Sequence, residues 1–305
     1  MQSKPELRVG VLATDPGMDA GLASDVAAVV DALARRGHAA HALKIGPEIA
    51  AQLKVLAIER AFLVGPGGGE TDGAIQGLLD LLGIPYTGSG VLAAALAGDR
   101  LRAKDLFGYR NLSTPPAYAV TRAQAADRAE VAALHRSFAF PTVVKARFGR
   151  AALGATVVAD LETLNAAVAA VAERADWVLV ERWVKGRDVA VAVIEGRVLG
   201  VVEHADEAAA GIRARRRYAP AQLPSVRQAN LAHIARAAYG ALGCRGTASV
   251  NFVCADDEND AVLSVDTLPA LDENGALRTA AQAAGLGLGD LCEAMLTTAR
   301  LDHPR

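Results

Sequence analysis

A glycine cluster that follows an apolar run sets the frame for the rest of this chain. Gly65, Gly67, Gly68 and Gly69 come directly after the strand-like residues Arg60–Val64. A backbone free to take positive φ, or to approach a ligand closely, marks a strand-to-helix turn there. Asp72 stands where it can cap the helix that follows. Ile75, Leu78, Leu79 and Leu82 recur at i, i+3, i+4 and i+7, one buried helix face. Pro85 and the triplet Gly88-Ser89-Gly90 then break the chain. A second helix is predicted from Val91, carrying Asp99, Arg100, Arg102 and Lys104.

Upstream, residues 7–12 read as a first strand, and Leu22, Val26, Val29, Val30 and Leu33 give a helix its buried stripe. Residues 41–45 and 60–64 read as further strands. Strands alternating with helices imply a parallel sheet covered on both faces. After Pro115-Pro116 the pattern changes. Thr142–Ala146 and Ala155–Val158 read as two strands around a loop at 148–154. Asp160 can cap a helix bearing Leu161, Leu164, Val168 and Val171, and residues 177–180 form another strand. Strands are predicted again at 188–194, 197–203, 246–254 and 261–266. A helix with Leu231, Ile234, Ala235, Ala238 and Leu242 on one face lies among them, and helices at 277–284 and 290–301 follow. The expected organisation is α/β in three lobes: an N-terminal parallel-sheet lobe (1–98), a small α+β lid lobe (99–187) and an α+β C-terminal lobe (188–305).

With 305 residues the chain is long enough for two or three compact lobes. It is 52% hydrophobic but only 4% aromatic, so its cores must be built from Ala, Val and Leu. A net charge of −2 argues against general nucleic-acid binding. No apolar run reaches the ~18 residues of a membrane span, and the first residues lack the apolar core of a secretory signal. Cys244, Cys254 and Cys292 form no CxxC pair and are odd in number, which fits reduced thiols in a cytoplasmic protein. The six histidines show no metal-ligand spacing.

The run GGGETDGAIQGLLDLLGIPYTGSGVLAAALAGDRLRAK resembles the end of the first domain of D-alanine–D-alanine ligases, members of the ATP-grasp superfamily. The resemblance continues in order through VVKARFGRAALG, VLVERWVKGRDVAV, LGCRGTASVNFV and LSVDTLPAL, and so spans nearly the whole chain. It implies an ATP-grasp fold with an adenine nucleotide clamped between the second and third lobes. On it, Lys145 is the lid-strand lysine that reaches phosphates, and Arg100 stands for a second basic residue with a different reach. Glu181, Trp183 and Val184 line adenine, and Asp188 takes the place of a ribose-binding glutamate. By residue type alone, Lys145 reads equally well as a solvated strand lysine and Trp183 as core.

Several positions that carry the family's chemistry are substituted. The lid loop keeps Gly149 and Gly154 but has Ala151 and Ala152 where the family has serines, so side-chain donors to phosphate and substrate are gone. The family's magnesium ligands, an aspartate, a glutamate and an asparagine, fall on Asn251, Ser264 and Asp266. The arginine at the oxyanion falls on Ser249, and the ammonium-binding glutamate falls near Asp19. The serine for the second carboxylate falls near Gly275. A histidine expected at 64–66 is missing. The loop over the site is shortened to residues 211–221, whose Arg213, Arg215, Arg216 and Arg217 read either as phosphate contacts or as a solvated basic surface.

Removing one group preorganised for developing charge costs roughly 3–4 kcal/mol. Several such losses would total on the order of 10 kcal/mol if additive, and even half is about a thousandfold in rate. Three readings follow: a family member impaired or inactive in catalysis that retains nucleotide binding, an active D-alanine–D-alanine ligase, and an ATP-grasp ligase with a changed substrate. The substitutions put the first ahead and tell against Mg²⁺ and D-alanine as ligands, while ATP stays compatible. The apolar residues 90–98 fit a homodimer contact and burial within one chain equally well.

Overall fold

The computed structural model describes residues 6–13, 20–65, 72–148, 154–209, 212–256, 258–273 and 275–302. Its first sheet is parallel, in the order β2-β1-β3, from β1 (Arg8–Ala13), β2 (Ala39–Lys44) and β3 (Arg60–Val64). Helices α1 (Ala20–Ala34), α2 (Ile49–Val55) and α3 (Ala74–Leu82) connect and cover it. Strand alternation sorts β1 between two cores. Val9, Val11 and Ala13 pack with Val26, Val29 and Leu33 of α1, while Leu12 packs with Leu53 and Leu79 of α2 and α3. Both faces are covered, as the hydrophobic rhythm requires.

The glycines at 67–69 lie outside the described residues. The cap position of α3 is Gly73, not Asp72; Asp72 stands one residue before it, its Oδ1 accepting from Ala74 N–H at 2.9 Å. The sequence reads a helix from Val91 and a basic helix over Arg100–Tyr109, and the structure has both, α4 (Val91–Gly98) and α5 (Arg100–Tyr109). They are split at Asp99, whose extended backbone lets its carboxylate accept from the N–H groups of Leu101 and Arg102 at 3.1 and 3.2 Å.

The central sheet is antiparallel, β4-β7-β5-β6, built from β4 (Ala117–Thr121), β5 (Thr142–Ala146), β6 (Ala155–Val158) and β7 (Trp177–Arg182). Strand β4 and helices α6 (Arg122–Ala125) and α7 (Arg128–His135) add to the sequence expectation. Helix α8 (Leu161–Ala172) closes the core with Leu164 and Val168 against Val144, Val178 and Val180.

The third sheet is antiparallel, β10-β9-β8-β11-β12, from β8 (Gly186–Ile194), β9 (Arg197–Ala209), β10 (Ile212–Tyr218), β11 (Thr247–Ala255) and β12 (Ala261–Asp266). The expected loop at 211–221 is therefore largely a strand. Its register sets Arg215 opposite Asp206 and Arg217 opposite His204, so β9 runs on well past Glu203. Helix α9 (Ser225–Ala241) lays Leu231, Ala235 and Ala238 against this sheet, together with Phe107 of α5. Helices α10 (Ala276–Ala283) and α11 (Leu288–Thr297) turn back to the first sheet: Leu277, Ala280, Leu291 and Met295 share a core with Val9, Val11 and α1. Among the described residues no helix is long and apolar enough to cross a membrane. Cys244, Cys254 and Cys292 are free thiols, each pushed up to about 12 by burial.

Candidate functional site

Strand alternation on β5 turns Val144 into the core beneath α8 and Lys145 to the opposite face. The β5–β7 register pairs Val143 with Glu181 and Lys145 with Leu179, so Lys145 and Glu181 are diagonal neighbours on that face. Lys104 reaches in from α5. Glu181 binds both lysines: one carboxylate oxygen takes a short bond from Lys145 Nζ, and the other lies 2.9 Å from Lys104 Nζ. Lys104 Nζ also donates to Thr114 Oγ1 and the Pro115 carbonyl, both at 3.0 Å. Glu181 and Lys104 are buried. Burial would raise the Glu181 carboxyl, but the two ammonium groups outweigh it and hold it below the usual carboxylate range. Burial draws Lys104 below its ordinary value against the pull of Glu181.

Arg100, the first residue of α5, joins this group to the third sheet. Its Nη1 donates to the Ala146 carbonyl at 2.9 Å, and its backbone N–H to Arg147 O at 3.3 Å. Burial lowers its pKa, and the charges of Glu181 and Asp266 act against that, so it stands within electrostatic reach of both carboxylates. Arg147 extends the set. It grips Asp99 bidentately, Nε to Oδ1 at 2.9 Å and Nη2 to Oδ2 at 2.7 Å. Its guanidinium also lies 4.9 Å from the ring centres of both Phe148 and Trp177.

On the third sheet, Ser249 of β11 pairs with Asp266 of β12, and Asn251 with Ser264. These four share one face, while Val250, Phe252 and Val265 fill the core behind them. They are linked to one another: Asn251 Nδ2 donates to Ser264 Oγ at 3.2 Å, and Ser249 Oγ to Asn251 Oδ1 at 3.5 Å. Asp266 is buried, and its Oδ1 accepts from Leu268 N–H at 3.1 Å. Among the described residues no group of three or more His, Cys, Asp or Glu is placed to hold a metal ion.

The structure thus sets Arg100 within electrostatic range both of Glu181, which pairs with Lys145, and of Asp266, which shares its face of the third sheet with Ser249, Asn251 and Ser264. Trp183 follows β7, exposed, its backbone N–H donating to Pro141 O at 3.1 Å. Val184 lines a cavity of about 550 Å³ with Ser113, Thr114, Arg182 and Glu258. Asp188 is exposed on β8, opposite Val253 and His204. Gly154 leads into β6 with φ of 73°. Asp19, Gly149, Ala151 and Ala152 lie outside the described residues, and Arg213, Arg215, Arg216 and Arg217 are register positions on β10.

Sequence reasoning passed over Lys104, Asp99 and Arg147 as site residues. Two spacings carried a signal. Lys104 is four residues after Arg100 on one helix face, and Arg147 follows Lys145 by two, the strand period.

A family model for the D-Ala–D-Ala ligase C-terminus matches residues 106–297. A D-alanine–D-alanine ligase of Anaeromyxobacter sp. (strain Fw109-5) is 36% identical, covering 90% of this chain and 91% of its own. The chain belongs to the D-alanine–D-alanine ligase family. A second member, from Geobacter sulfurreducens, is 33% identical over 90% of this chain and 88% of its own. The crystal structure of the D-alanine–D-alanine ligase from Bacillus anthracis superposes with a TM-score of 0.83 at 24% identity, over 96% of this chain and 97% of that one. An ATP complex of the same protein matches equally well. The ATP-grasp fold of the D-alanine–D-alanine ligases is therefore the fold of this chain.

Proposed function

We propose that this chain is a nucleotide-binding member of the D-alanine–D-alanine ligase family in which ligation is impaired or lost. The carrying observation is the face formed by Ser249, Asn251, Ser264 and Asp266. Phosphoryl transfer depends on positioning and on neutralising charge with Mg²⁺, and Mg²⁺ seeks anionic oxygens in octahedral geometry. Here one carboxylate stands beside an amide and two hydroxyls that hydrogen-bond among themselves. That donor set does not fit the ion.

The second-substrate position supports the same reading. At Gly275 any Cβ would lie 2.4 Å from the Ala270 carbonyl oxygen, so a serine there requires the backbone to move. The nucleotide side keeps its cations. Arg100 and the Lys145–Glu181 pair supply those charges, and an ATP complex is known for a protein of this fold. On this reading Arg100 and Lys145 face phosphates, Trp183 and Val184 face adenine, and Asp188 faces ribose.

An active ligase is the second reading, favoured by relatives that carry that name and align over about nine-tenths of both chains. Thermal shift with ATP, and phosphate release from Mg-ATP with and without D-alanine, separate the two. The expected result is an ATP-induced shift with D-alanine-dependent release at least a thousandfold below ordinary enzyme rates of roughly 1–1000 per second. Turnover at ordinary rates overturns the proposal.

A further inference from the structure

We propose that the cleft takes its nucleotide free of divalent cation, with the phosphates held by Arg100 and Lys145 instead of a metal. The inference rests on the nucleotide-binding reading above and deepens it. Its ground is the internal bonding of the wall where a cation would sit, not merely a missing carboxylate.

Asn251 donates to Ser264 Oγ and accepts from Ser249 Oγ. Turning the amide over only exchanges which neighbour meets its NH₂, so one end always presents N–H, which a cation cannot use. Of the four residues Ser249, Asn251, Ser264 and Asp266, only Asp266 carries a carboxylate, and one of its oxygens already accepts from Leu268 N–H. The fixed charge of Arg100 lies within its reach as well. An incoming dication would meet one part-used carboxylate within range of a guanidinium. Mg²⁺ gives up its own water reluctantly, and such a wall offers too little in exchange.

The opposite wall is suited to phosphate without help. Arg100 opens α5; the first backbone N–H groups of that helix are taken by Asp99 and the Arg147 carbonyl, so what Arg100 offers a phosphate is its guanidinium. Lys145 is a three-donor group that gives one bond to Glu181. A phosphate arriving between them meets two cations and competes with Glu181 for Lys145. Lys104 keeps Glu181 paired when Lys145 swings away. The lysine pair thus lets the carboxylate stay buried and neutralised in both states, with no metal in the cycle.

Calorimetric titration of ATP into the full chain, in EDTA and in millimolar Mg²⁺, tests this, with the double variant Asn251→Asp/Ser264→Glu alongside. The expected wild-type affinity agrees between the two buffers within about threefold. The folded double variant becomes Mg²⁺-dependent by more than about tenfold, because two new carboxylates repel bare phosphate and seat the ion. Wild-type binding tightened more than about tenfold by Mg²⁺ overturns the inference and leaves the nucleotide reading standing. Binding in neither buffer overturns both. A folded double variant indifferent to Mg²⁺ also overturns the inference, since the two positions would then not govern the metal.

Discussion

Glu181 is the residue on which Lys104 and Lys145 converge. It is a buried carboxylate held between two ammonium groups, one on a strand and one on a helix. Taking it away leaves Lys104 buried with only a hydroxyl and a carbonyl. Removing one partner of a buried pair costs about 3–5 kcal/mol, far more than an exposed pair is worth. Glu181→Gln is therefore expected to lose about 3 kcal/mol in urea denaturation at neutral pH. The pH dependence has a definite sign. The folded carboxyl lies below its unfolded value of about 4.3, so the unfolded chain takes up the proton first as pH falls. The contribution is complete above that value and is lost as pH drops through it towards the folded pKa. Wild type should thus lose stability more steeply than Glu181→Gln on acidification below about pH 5, and parallel curves would refute the assignment. Lys145 and Glu181 were legible in the sequence because a strand's two-residue period and an ordered motif both point to them. Lys104 was not, because a lysine on a basic helix reads as solvated until the chain before β4 is seen to fold over it.

At the scale of elements, Asp99 performs two tasks that need different chemistry. As a cap it needs only an acceptor oxygen for Leu101 and Arg102; as the partner of Arg147 it needs a charge. Asparagine caps a helix about as well as aspartate. Asp99→Ala should cost about 3–5 kcal/mol by losing the cap and leaving a buried guanidinium unpaired, and Asp99→Asn should recover about 1 kcal/mol of it. Equal losses for the two variants, measured by chemical denaturation, would mean that the cap contributes nothing. Helix α5 was legible as a basic helix over Arg100–Tyr109, because an acidic residue after glycine marks where it begins afresh. Strand β10, by contrast, was hidden. A run of arginines has little strand propensity of its own, and only pairing with β9, settled at long range, makes it extended. Strands β1, β3, β5, β6 and β12 were legible because their apolar periodicity is local.

On the scale of the whole molecule, residues 300–302 staple the first sheet to the third. Arg300 exchanges backbone hydrogen bonds with Tyr86, which lies beside β3, and its side chain meets Glu195 in the β8–β9 turn at 3.0 Å. Arg245, just before β11, stacks on the Tyr86 ring at 4.6 Å and donates to Arg300 O at 3.0 Å. Asp302 closes the knot. Its Oδ1 lies 3.5 Å from Arg245 Nε, its Oδ2 accepts from Val91 N–H at the start of α4 at 3.1 Å, and its own N–H donates to Asp80 at 2.9 Å. No motif announces this, because each contact joins residues more than fifty positions apart and Tyr86, Glu195, Arg245, Arg300 and Asp302 all lie between regular elements. Gly90 makes it possible: a Cβ there would lie 2.1 Å from the Asp302 carboxylate. Two substitutions should therefore remove the same contact from opposite sides. Asp302→Ala deletes the carboxylate and Gly90→Ala displaces it, each costing about 2–3 kcal/mol through lost charged hydrogen bonds. Because the contact can be lost only once, the double variant should cost little more than the worse single one, a coupling of about 2 kcal/mol. Unfolding midpoints in urea for the four proteins measure it. Additive losses would show that the carboxylate and the glycine act separately, and that the staple is held by Arg245 and Arg300 alone.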